Sequence, residues 1–388
     1  MQPTPAPIQA AADSRRAHLT HIDFLRIFAI FLVILNHGAF LMPTAGHGIL
    51  GSLVIFSFDQ LIKTAVPIFF MISGALLLPR EESYSQLFRK RIPRFLGVII
   101  YFWTLQWSAD IISGGSFPSP DQFLQSLYSL TPLSVRAGAH VSWFLYAYLA
   151  MLLLLPLLRR LAHSMRDRDY LYLFGLQLVI AALLPTFVCL LVGSEMSSRL
   201  CEYLPFTRPD YVPFGAGFCA VFMLLGYFLE HRLRTGIQAA YTGGGEGGYP
   251  HLMRNLVLLS LVCLLSGTAM MMYCRGCQPD GRLSPTTFFL TCYIPLPCAT
   301  LYLLARTFFT RVSVPPFLRK FLQLAAGGVL TVMLTENLFR MAFAPVASAL
   351  RPALGFLLSS MLTCILILCC GLLLGILLKK LPFLRRIL

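Results

Sequence analysis

Ten stretches of near-continuous apolar sequence dominate this chain, at roughly 22–42, 50–78, 93–114, 141–158, 170–193, 212–230, 252–273, 286–305, 322–346 and 352–378. Each is about as long as a ~30 Å hydrocarbon layer demands of a helix. Composition agrees. Hydrophobic residues make up 57% of the 388, charged residues only 12%, and mean hydropathy is +0.73. A soluble domain carries about twice that charged fraction. The chain is therefore read as all-α: a polytopic membrane helical bundle of about ten transmembrane helices. The second stretch is long and interrupted by Asp59, Lys63 and Pro67, which predicts a tilted or broken span.

The loops orient the bundle. With the N-terminus placed inside, 22 of the 31 Lys and Arg residues fall on cytoplasmic segments and 6 on outer loops. The other 3, Arg26, Lys63 and Arg340, lie within spans. Such a bias, alternating loop by loop, predicts both termini in the cytoplasm. The predicted organisation is a short cytoplasmic tail over 1–20, one transmembrane domain over 21–380, and a tail over 381–388. The net charge of +15 reads as topology rather than nucleic-acid binding, since no basic patch interleaved with aromatics accompanies it. The first twenty residues hold no apolar core, so the first span is expected to act as an uncleaved anchor. The loop Gly243-Gly244-Gly245-Glu246-Gly247-Gly248 reads as a linker, because no Lys-Ser/Thr follows it. No internal repeat of the kind many transporters show is evident.

Most of the 11 cysteines lie in apolar runs, where a thiol acts as a small hydrophobe. Cys274 and Cys277 stand apart as a C-x-x-C pair. Either a local disulfide in an outer loop or an incidental pair accounts for them.

Ionisable groups inside lipid are costly and usually face a partner or a cavity. The first span has three, Asp23, Arg26 and His37. Eleven residues separate Arg26 from His37, about three helical turns, which puts both on one face ~16 Å apart along the axis. Asp23 is placed to pair with Arg26. Snorkelling of the pair and a satisfied buried histidine is the competing explanation. The second span carries Pro67, Ser73 and Gly74, which permit a kink and close helix approach. After it, Arg89, Lys90, Arg91 and Arg94 concentrate cations at the inner surface. They suit a topology determinant, anionic lipid, or an anchor for phosphates. The fourth span opens on His140, Trp143, Phe144 and Tyr146, a pattern also met in interfacial belts. In the ninth span Glu336 and Arg340 are spaced i,i+4 and are expected to neutralise each other.

Together these residues resemble a known family. Ile22-Asp23-Phe24-Leu25-Arg26 followed by His37 is similar to the opening motif of the type 3 acyltransferases, integral-membrane O-acyltransferases that often acetylate bacterial surface glycans. Pro67 to Gly74, Arg89 to Arg94, and His140 to Leu145 resemble that family's next three motifs, in order. One departure stands out: Thr335 occupies the place of a histidine common in the family's ninth span. The resemblance implies an acyl-CoA donor, acetyl-CoA by default, no metal, and a cell-surface or lipid-linked glycan as acceptor, at the bacterial inner membrane. His37 is then the expected base, with Arg26 and Asp23 completing the catalytic set. Arg89, Arg91 and Arg94 are expected to bind the donor's phosphates, and Ser73, His140, Trp143 and Glu336 to bind substrate. The alternative is a transporter or flippase that uses the intramembrane Asp, Arg and His groups. Acceptor identity and oligomeric state are not legible.

Overall fold

The computed structural model describes residues 6–37, 57–58, 60–112, 119–121, 139–179, 217–233, 252–276, 294–381 and 384. Among them the helices are α1 (Ala6–His37), α2 (Ala65–Leu77), α3 (Ile92–Ile112), α4 (Ala139–Ser164), α5 (Asp167–Leu178), α6 (Gly217–Tyr227), α7 (Leu252–Gly276), α8 (Pro295–Arg311) and α9 (Pro316–Leu378), and there is no strand. Five segments are long and apolar enough to cross a membrane: Thr20–His37, Gln60–Leu77, Phe144–Ser164, Pro316–Gly355 and Leu358–Leu378. Large apolar side chains such as Leu157, Val262 and Leu373 stand exposed on the outside of the bundle. Lipid, not water, is the solvent that tolerates such a surface. The protein is a multi-pass α-helical membrane protein.

Several expected boundaries move. The tail before residue 20 is helical from Ala6 and continuous with the first span. The second span is broken as anticipated, with a turn at Lys63 and Thr64 just before α2. There the Thr64 hydroxyl donates to Leu61 O at 2.6 Å. Asp59, Cys277 and the side chain of Cys274 lie outside the described residues. The basic run after α2 is not a loop. Residues Leu87–Arg91 form a π-helical turn that leads into α3. Arg159 and Arg306, just past the ends of the expected spans at 141–158 and 286–305, belong to α4 and α8.

The ninth and tenth spans form one element, α9, folded at Gly355, whose φ of 73° is a conformation glycine adopts freely. Pro345 and Pro352 lie just before the bend. The two arms run antiparallel, with Gly375 against Gly328 and Gly371 against Val332.

α1 is the central helix. It packs most extensively on α9, then on α2 and α8. Its Ile22, Leu25 and Ala29 lie in a core built from α2, α4, α6 and α8. Its Ile30, Leu32 and Ile34 lie in another built mainly from α3 and α9. The closest crossing is between α2 and α6. A Cβ placed on Gly74 would stand 1.8 Å from Met223 O, and one on Gly226 1.9 Å from Met71 O. No side chain fits at either place, so the Met-x-x-Gly segments of the two helices meet backbone to backbone.

Candidate active site

His37 is the last residue of α1, and its backbone carbonyl is reached from a neighbouring helix. Arg340 of α9 donates to His37 O at 2.7 Å. The His37 ring itself meets Glu336, one turn earlier on α9, with Nδ1 and Oε2 2.7 Å apart. The carboxylate is 1% exposed and the imidazole 16%. So the i,i+4 neutralisation of Glu336 by Arg340 does not form. Each reaches across to α1 instead, because the buried imidazole and the helix-end carbonyl are nearer partners than the adjacent turn. The second oxygen, Glu336 Oε1, is buried and has no hydrogen-bond partner among the described residues.

The surroundings are polar and continuous. Arg340 also donates to Asn337 Oδ1 at 2.6 Å, Asn337 Nδ2 to Gln106 Oε1 at 3.4 Å, and Gln106 Nε2 to Leu334 O at 3.3 Å. From the broken second span, Lys63 Nζ donates to Asn36 Oδ1 at 2.8 Å. α9 thus holds the histidine through Glu336 and Arg340, with α3 backing Asn337 through Gln106. A shared network of this kind restricts the rotamers of every member. Asn36, Lys63, Gln106 and Asn337 were not picked out as site residues from the sequence. Their signal was available, since each is a polar residue inside an apolar span.

The remaining predicted residues separate into groups. Arg26 and Asp23 pair at 3.6 Å, near the far end of the Thr20–His37 span from His37. Ser73 donates to Phe69 O on its own helix at 2.8 Å. Thr335, buried beside Glu336, donates to Thr331 O at 2.8 Å, so the residue in place of the family's histidine is satisfied within its own helix. His140 and Trp143 lie in the first turn of α4, and their side chains are outside the described residues. The aromatic rings of Phe144 and Tyr148, after the start of α4, pack inward. Phe144 packs on Phe70 at 5.3 Å and Tyr148 on Phe95 at 4.9 Å.

The basic trio divides too. Arg91 is bound by Glu82, with Nε 2.7 Å from Oε2. The same carboxylate takes Arg159 NH2 at 3.0 Å, while Arg159 Nε holds Leu77 O at 3.0 Å. Hydrogen bonding to these two cations lowers Glu82 to about 2. Arg89 is exposed. Arg94 sits within electrostatic reach of Lys379.

A second histidine–glutamate pair lies at the opposite end of the Thr20–His37 span of α1. His21 Nε2 is 3.2 Å from Glu230 Oε2, and Tyr302 donates to the same oxygen at 2.8 Å. Arg306 Nε stands 4.0 Å from Oε1. Glu230 is in the π-helical turn Phe228–Arg232, whose extra residue rotates it toward α1 and α8.

Comparison with known proteins comes to one finding. Residues 19–378 match the family described as an acyltransferase domain, the type 3 membrane acyltransferases. Comparison with curated proteins and with solved structures gave no match.

Proposed function

The chain belongs to the type 3 membrane acyltransferases, and on that premise we propose that it moves an acyl group, acetyl by default, from cytoplasmic acyl-CoA to a hydroxyl of a cell-surface or lipid-linked glycan. The observation that carries the reading is the His37–Glu336 pair. A carboxylate that accepts from Nδ1–H sets the tautomer in which Nε2 carries the lone pair. Nε2 then takes the proton from the acceptor hydroxyl as its oxygen attacks the thioester carbonyl. The C–S bond breaks as the tetrahedral oxyanion collapses, and the departing thiolate receives that proton back. Arg340, held at the end of α1, is the cation nearest to hand for the developing negative charge.

The reading assumes ten spans with both termini inside, in a bacterial inner membrane. Donor phosphates then meet the end of the first span that carries Arg26, and the acceptor approaches the end that carries His37. Arg26 lies ~16 Å from His37 along the helix, so it serves the donor's far end and not the reacting carbon.

The test uses membranes that hold wild type or His37→Ala. Wild type should release free coenzyme A from acetyl-CoA in the presence of acceptor, and surface glycans or glycolipids should gain an acetyl-sized mass. His37→Ala should do neither while staying folded in detergent. Retained turnover would remove His37 as base, and a wild type that never consumes thioester would remove the enzyme.

A further inference from the structure

At the far end of the bundle from His37, three helices bring cations together. Arg26 comes from α1, Arg94 from the first turn of α3, and Lys379 from the residue that caps α9. Lys379 is half-buried, and its ammonium donates to Gly327 O in the opposite arm of α9. That bond fixes the ammonium on the bundle wall. A Cβ on Gly327 would stand 2.8 Å from Nζ, so the ammonium lies directly against that backbone. Burial, and then the Arg94 and Arg26 charges, lower the affinity of Lys379 for its proton. Asp23 offsets part of the charge by its contact with Arg26 at 3.6 Å. Arg91 does not join the group, because Glu82, which also accepts from Arg159, holds it elsewhere.

Like charges gathered on a half-desolvated wall repel one another, and a multiply charged anion reverses that sign. We propose that Lys379 is a specificity residue for the acyl donor: with Arg26 and Arg94 it binds the phosphate groups of a nucleotide-bearing thioester and so selects such donors over short thioesters. The inference rests on the acyltransferase reading and adds to it a residue from the last span that no motif in the first half of the chain supplies. Phosphate recognition here suits three separate donors rather than a single fork, since a long polyphosphate offers oxygens in several directions.

The experiment measures binding of coenzyme A and of pantetheine to the full chain in phosphatidylcholine nanodiscs by calorimetry, so that no acceptor is needed. Wild type should bind coenzyme A more tightly than pantetheine. Lys379→Gln should weaken coenzyme A about tenfold, the loss expected for one charge-assisted contact, and leave pantetheine unchanged. Lys379→Arg should restore most of the affinity, which an unfolded or merely loosened protein would not do. Equal weakening of both ligands would overturn the proposal. So would a Lys379→Gln effect seen only when the discs contain phosphatidylglycerol, because the phosphate would then be a lipid headgroup's. If coenzyme A binds wild type and Lys379→Gln equally, the proposal falls and the transferase stands. If wild type does not bind coenzyme A at all, both fall.

Discussion

α1 carries two histidines, and each meets a buried glutamate from another helix. The pairs do opposite things. At His37 the ring keeps 16% of its surface, its carboxylate partner is 2.7 Å away, and Lys63, Gln106, Asn337 and Arg340 extend the polar contacts around Asn36 and α9. At His21 both partners are 1% exposed, and Tyr302 closes the carboxylate with a bond of 2.8 Å. The same two residue types thus make a candidate base at one end of the span and a clamp at the other. The difference is access: a buried ion pair with no route to substrate can only hold helices together. Histidine–glutamate proximity is therefore not a catalytic signature until one ring nitrogen has somewhere to deliver a proton.

The largest effect should separate the pairs by activity. His37→Ala is expected to lower turnover by at least about 10²–10⁴-fold, the usual contribution of a positioned base. Glu336→Gln should lower kcat with little change in KM, since the amide still fills the space but no longer sets the tautomer. Initial rates of coenzyme A release check both. An equal loss from His21→Asn, per folded molecule, would break the distinction.

The second effect should appear in stability. Glu230→Gln leaves the buried His21 beside an uncharged amide, and breaking a buried pair costs about 3–5 kcal/mol. Thermal aggregation in detergent should shift down accordingly, while the turnover of the surviving fraction changes little.

Next comes the crossing that presents Glu230. Gly226 lies one turn before it on the same element, and Gly226→Ala would drive a methyl into Met71 O. The α2–α6 contact should open, and yield of folded protein should fall as far as for Gly74→Ala. Size-exclusion profiles of the two variants test this. A monodisperse Gly226→Ala protein with wild-type stability would contradict the crossing.

The smallest effect lies outside both pairs, at Glu82. Its folded state holds the carboxyl near 2, against an ordinary 4.5. A depressed carboxylate stabilises the fold fully above the ordinary value and loses that contribution as pH falls toward the folded one. Acid unfolding should therefore steepen between pH 4.5 and 2, and Glu82→Gln should flatten that limb. Stability measured against pH decides the point.

Much of this was written in local sequence. The apolar runs demanded a helical membrane protein, because no other packing hides them from water. The spacing of Arg26 and His37 put both on one helix, and four motifs in order carried the family. Which groups meet was another matter. That Glu336 turns to His37 and not to Arg340, that Glu82 takes Arg91 away from the set expected to bind phosphates, and that Lys379 comes within electrostatic reach of Arg26 and Arg94 all depend on residues 9 to 353 positions apart. Helical periodicity says which face a side chain shares with its own neighbours; it says nothing about which other helix lies against that face. Only the packed bundle, through the bend at Gly355 and the glycine crossing of α2 with α6, decides that.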